Sequence, residues 1–100
     1  MKYEFWETEG HGYLKVPYMK IYDLDIEDEI TEYSYWSKSK NYVYLEEDLD
    51  LSIFLKAINK EFDDVIIKPV NFTDQRIIDN YEPYKKPTTL TKWWETIKEL

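Results

Sequence analysis

The sequence predicts an α+β fold: one small domain with a mostly antiparallel sheet of about five strands, two hairpins plus one strand, packed by two to three helices. Three observations predict it. Two pairs of β-rich segments are each separated by a short reversal, around Gly10-His11-Gly12 and Lys38–Asn41. Two stretches, 51–62 and 90–100, carry apolar residues at helical spacing. The 100 residues, 43% of them hydrophobic, are enough for one core and leave no room for a second, so residues 1–100 read as a single domain.

Each element has its own signal. Lys2–Thr8 alternates, with Tyr3 and Phe5 on one face, and reads as a strand. The paired glycines around His11 are expected to supply the unusual φ values of a tight turn, after which Tyr13–Val16 returns as a second strand. Pro17 suits the first turn of a helix, and Ile21, Tyr22 and Leu24 continue a short one into an acidic loop. Thr31–Ser37 and Tyr42–Glu46 are rich in β-formers and make the second hairpin. On it, Tyr33 and Tyr35 share one strand face and Tyr42 and Tyr44 share another, which predicts cross-strand tyrosine contacts. Trp36 points to the opposite side, either under a helix or into a binding surface.

Leu51, Phe54, Leu55, Ile58 and Phe62 give the stripe of an amphipathic helix, with Asp48 or Asp50 placed as its N-cap. Val65–Val70 is a short strand whose Pro69 marks a strand end or a sheet edge. Thr73–Asn80 allows one or two helical turns. Leu90, Trp93, Trp94, Ile97 and Leu100 form the stripe of a C-terminal helix, capped by Thr89 or Thr91. The expected order is β-β-α-β-β-α-β-α.

Composition removes several functions. There is no cysteine, hence no disulfide, thiolate zinc site or cysteine nucleophile. His11 is the only histidine, and glycine occurs only at 10 and 12, so multi-histidine metal sites and glycine-rich phosphate loops are excluded. Asp23–Glu29 superficially resembles a calcium loop, but the positions that need glycine and a bidentate glutamate hold Asp28 and Ser34. No cofactor is expected. Glu46, Glu47, Asp48 and Asp50 could pair for acid–base work, yet four acids at a strand–helix junction fit a solvated cluster that complements a helix dipole. No apolar run approaches the roughly 20 residues of a membrane span, so the expectation is a protein of the bacterial cytoplasm with no membrane contact.

The charge is concentrated. Residues 1–20 and 51–100 are each neutral, and residues 21–50 hold ten acids against Lys38 and Lys40, which accounts for the whole −8. A local negative field steers encounter with basic partners and repels nucleic acid and anionic lipid. Alternating Asp23, Asp25, Glu27 and Glu29 have a spacing that can imitate a row of phosphates. The partner-binding residues expected on this reading are Asp23, Asp25, Glu27, Asp28, Glu29, Glu32, Trp36, Tyr44, Glu46, Glu47 and Asp48, with no catalytic or metal residue among them. The aromatic residues would anchor, since tyrosine and tryptophan bury large areas at low entropic cost. Direct nucleic-acid binding is not expected, because stacking platforms work within a basic groove and this chain has none.

FWETEGHGYLKVP (5–17), YSY (33–35) and YLEEDLDLSIFLKA (44–57) resemble a group of small proteins encoded by phages and mobile elements of low-GC bacteria. The twelve lysines to one arginine and the ten isoleucines agree with AT-rich coding. The group has no assigned activity, and no functional residue carries over. What the resemblance implies is context: accessory proteins of mobile elements often disable host defence, CRISPR effectors included. The expectation is therefore a non-catalytic inhibitor of a basic, nucleic-acid-handling host protein. The alternatives are an accessory domain binding a protein or peptide through its sheet edge or aromatic face, and a small carboxylate-based enzyme.

Overall fold

The computed structural model describes residues 2–70 and 74–86. Five strands, β1 (Lys2–Glu7), β2 (Gly12–Pro17), β3 (Tyr35–Trp36), β4 (Tyr42–Glu46) and β5 (Ile66–Val70), form one sheet in the order β3-β4-β2-β1-β5. Helices α1 (Tyr18–Asp23), α2 (Asp50–Ala57) and α3 (Gln75–Asp79) complete an α+β domain. The C-terminal helix expected over 90–100 lies outside the described residues.

Both hairpins are present, and they meet through β2 and β4, antiparallel with Leu14 opposite Leu45 and Val16 opposite Val43. Only β5 runs parallel, beside β1. It forms an edge of the sheet, which is where a strand holding Pro69 can sit without breaking a ladder on both sides.

Alternation along the strands divides the side chains between two cores. On one face Tyr3, Leu14, Val16, Trp36, Val43 and Leu45 pack with Ile21 of α1, Leu51 and Phe54 of α2, and Ile26 and Ile30 of the acidic loop. On the other face Tyr13 and Tyr44 close over Ile78 of α3, with Trp6, Tyr35 and Tyr81 around them. Tyr35 stands directly opposite Tyr44, the cross-strand tyrosine pair the sequence predicts. Residues 81–84 run along the free side of β3: Trp36 donates its N–H to Glu82 O, and Tyr84 N–H donates to Ser34 O. From this strap Tyr81 stacks on Tyr44 on one face, at 5.5 Å, and Tyr84 stacks on Trp36 on the other, at 5.1 Å.

The turns depart from expectation in an instructive way. Neither glycine has a positive φ; Asp25, Lys40 and Asn59 do. Gly12 matters for space instead: a Cβ there would lie 2.5 Å from Phe5 Cζ and 2.7 Å from Glu47 Oε2, so any larger residue has to displace those side chains. Asp25 and Asn59 end α1 and α2 with the same left-handed cap: Ile26 N–H returns to Ile21 O and Lys60 N–H to Leu55 O. The cap at Asn59 stops α2 a turn earlier than its apolar stripe predicts. Phe62 falls in a separate 3-10 turn, edge-on to Phe5 at 5.7 Å.

The largest departure is at 31–34, expected in a strand and found as a turn. Asp50, fully buried, accepts hydrogen bonds at Oδ2 from Thr31 N–H (3.0 Å), Thr31 Oγ1 (2.8 Å) and Ser34 Oγ. Ser34 Oγ also receives Glu46 N–H. Neither Asp48 nor Asp50 caps α2, whose N-cap position is Leu49 without a side-chain acceptor. Asp50 is occupied with a different segment.

Hydrogen bonds to a carboxyl group that leave donors stranded when it is removed cost about 1–3 kcal/mol each. Asp50→Ala is therefore expected to destabilise the domain by about 3–5 kcal/mol in urea unfolding, with Asp50→Asn losing less. A loss below about 1 kcal/mol would contradict the clasp.

Candidate functional site

The clasp has a geometric result. It ties residues 31–34 to the first turn of α2 and to Glu46, so the end of the acidic loop adjoins the Glu46–Asp50 segment. Between Tyr33 on one side and α3 on the other opens a cleft of about 560 Å³. Its floor is Tyr13 of β2 and Glu46 of β4, which face each other across the ladder. Tyr35, Asp48, Leu49, Gln75, Asp79 and His11 complete the walls.

Glu46 is the central group. Its side chain is 8% exposed. Oε2 accepts Asp48 N–H at 2.9 Å and Leu49 N–H at 3.1 Å, tying down the turn before α2. Oε1 accepts no hydrogen bond among the described residues, and His11 Nδ1 stands 3.9 Å away. Burial pushes the Glu46 carboxyl above the ordinary carboxylate range, against the lowering effect of those two N–H donors and of His11.

The rest of the wall is held by hydrogen bonds. Gln75 Nε2 donates to Tyr13 Oη at 3.2 Å and to Asp79 Oδ1 at 3.0 Å, and Thr8 Oγ1 donates to Gln75 Oε1. Asp74 caps α3 by accepting Arg76 N–H, and the Arg76 guanidinium holds its carboxyl down to about 2. Burial raises the phenols of Tyr13 and Tyr35. The cleft thus offers aromatic rings and carboxyl groups, and among the described residues no lysine or arginine lines it.

The expected binding residues fall into three groups. Asp23, Asp25, Asp28, Glu29, Glu32, Glu47 and Asp48 are exposed, with Asp28 paired to Lys86. Glu27 is half-buried and Glu46 buried. Trp36 and Tyr44 are a correction: both lie in the interior, 7% and 3% exposed, so neither presents a ring for anchoring. Trp36 is enclosed by Tyr18 and Tyr84, and Tyr44 by Trp6 and Tyr81. Tyr33 is exposed instead, at 61%, and Tyr22 and Tyr42 are exposed to a lesser degree. Tyr13, Gln75 and Asp79 were not anticipated. Gln75 and Asp79 are four apart on α3 and so share a face, but only the tertiary fold brings that face to Tyr13.

The β3 edge and the tyrosine face are both covered, by the 81–84 strap and by α3. No group of three or more acids and histidines among the described residues has metal-binding geometry, and no described helix is long and apolar enough to cross a membrane. No family model, curated protein or solved structure matches the chain.

A carboxyl group with a raised pKa favours the fold when protonated. Glu46 therefore contributes its full stability below about pH 4.5, and that contribution is lost as pH climbs through its raised value. Urea unfolding of wild type and Glu46→Gln across about pH 4–7 should show a shallower fall with rising pH in the variant. Parallel curves would mean that Glu46 is not desolvated.

Proposed function

We propose that this chain is a non-catalytic acidic binding protein that docks on a basic surface, inhibiting a nucleic-acid-handling protein in a bacterial cytoplasm. An anti-defence role of the anti-CRISPR type, by imitation of nucleic acid, is the form that fits the resemblance seen in the sequence. One observation carries the reading: the Asp50 clasp ties the end of the acidic loop, at Thr31 and Ser34, to the Glu46–Asp50 segment, and Glu46 and Asp48 line a cleft with no lysine or arginine among the described residues. Joined carboxylates raise the local potential more than scattered ones, and that potential speeds association with a positive surface.

A second reading, a small carboxylate-based enzyme, is favoured by one observation, the buried Glu46 with its raised pKa in a cleft beside His11. It requires Glu46 to hold a proton near neutrality. A Glu46 pKa below about 5, read by carboxyl NMR, would end it.

The test of the first reading uses tagged protein and lysate of a low-GC bacterium, at low and high salt, with and without added DNA. Capture of a nucleic-acid-binding protein, abolished by DNA or salt, is expected. Reversing exposed charges, Glu29→Lys, Glu32→Lys and Asp48→Lys together, should weaken capture at least tenfold. Asp25 is better left in place, since its left-handed conformation is structural. Undiminished capture by the triple variant would overturn the reading.

A further inference from the structure

We propose that the cleft over Glu46 is a socket for a guanidinium group, offered by an arginine of the basic partner. This rests on the reading above and gives it an atomic centre.

The socket is more than an acidic cluster. Glu46 lines the cleft and is over nine-tenths buried; two N–H groups occupy its Oε2, and its Oε1 accepts no hydrogen bond from the described residues. His11 Nδ1, at 3.9 Å, is beyond hydrogen-bonding distance. With Oε2 taken by two N–H groups, Oε1 can accept from a charged donor entering the cleft, and a hydrogen bond between a cation and a carboxylate is among the stronger kinds. The volume, about 560 Å³, lies in the range of ligand pockets.

The walls select the kind of cation. Tyr13 and Tyr35 meet edge to face at 6.1 Å, and Tyr33, 61% exposed, lines the cleft with them. A guanidinium is planar and weakly hydrated, so it can lie on a tyrosine face and present its edge to a carboxyl group. An ammonium is a compact, strongly hydrated charge and gains less from such walls. Asp48 and Asp79 add negative charge on two sides, and Gln75 Nε2, already donating to Tyr13 and Asp79, does not compete for Glu46.

The experiment is an NMR titration of the isotope-labelled full chain with N-acetyl-arginine amide, with the lysine analogue and tetramethylammonium as comparisons. Saturable shifts at the rings of Tyr33 and Tyr35 are expected, with arginine amide binding at least fivefold tighter than either comparison. Glu46→Gln should weaken it about tenfold. Because Glu46 also holds the turn before α2, Tyr33→Ala is the second variant: its ring is exposed, the fold should be unaffected, and a loss of at least threefold is expected. Equal binding of all three cations, or shifts spread over the acidic surface without saturation, would overturn the socket.

A hexa-arginine peptide separates this inference from the reading beneath it. Salt-sensitive binding that falls in the Glu29→Lys, Glu32→Lys, Asp48→Lys variant while the cleft resonances stay still refutes the socket and keeps the basic-partner reading. Failure of both peptide and arginine amide to bind refutes both.

Discussion

A single buried carboxyl group organises this domain. Asp50 sits at the first turn of α2 with no exposure to solvent, and its Oδ2 gathers three donors from residues sixteen and nineteen positions earlier. Burying such a group without donors would cost more than a small domain can supply, so the loop must bring Thr31 and Ser34 to it. That requirement bends 31–34 into a turn, cuts β3 to two residues and sets Ile26 and Ile30 beneath α2. The position of the acidic loop follows from an interior contact.

Much of this was legible in the sequence. Strand β1 could be read from alternation, β2 as the return after the turn at 10–12, β4 from its β-forming residues, and α2 from the spacing of Leu51, Phe54 and Leu55, because such signals are local. The edge position of β5 followed from Pro69, which lacks an N–H. The extent of β3 could not be read: Thr31–Ser37 has β propensity throughout, and the long-range demand of Asp50 overrides it. Asn59 hid the end of α2 because asparagine signals a cap only when the chain around it closes. The cleft was half visible. Glu46 and Asp48 were expected in a binding surface, but their relation to Tyr13 depends on strand register, and Gln75 and Asp79 come from an element sixty residues from Tyr13.

The fate of the aromatic residues shows why composition misleads about surfaces. With 18% aromatic residues the chain has enough rings for both an interior and a display surface. The two-sided sheet takes many of those described into its cores: Trp36, Tyr84, Tyr3 and Phe54 on one face, Tyr13 and Tyr44 on the other, with Phe5, Tyr18, Trp6, Tyr35 and Tyr81 packed against them. At the cleft, the aromatic contribution comes from Tyr33, Tyr35 and Tyr13, beside the carboxyl groups.

The strap at 81–84 does more than shield an edge. Tyr81 belongs to the core under α3, and Tyr84, three residues on, belongs to the core under α1 and α2, where its hydroxyl also donates to Glu27 O at 2.7 Å. A segment rooted in both cores makes their melting a common event, since releasing it frees a ring from each. The same segment occupies the β3 backbone that would otherwise template pairing between molecules. Cooperativity and resistance to self-association therefore depend on one short stretch of chain, and a cut within it would forfeit both.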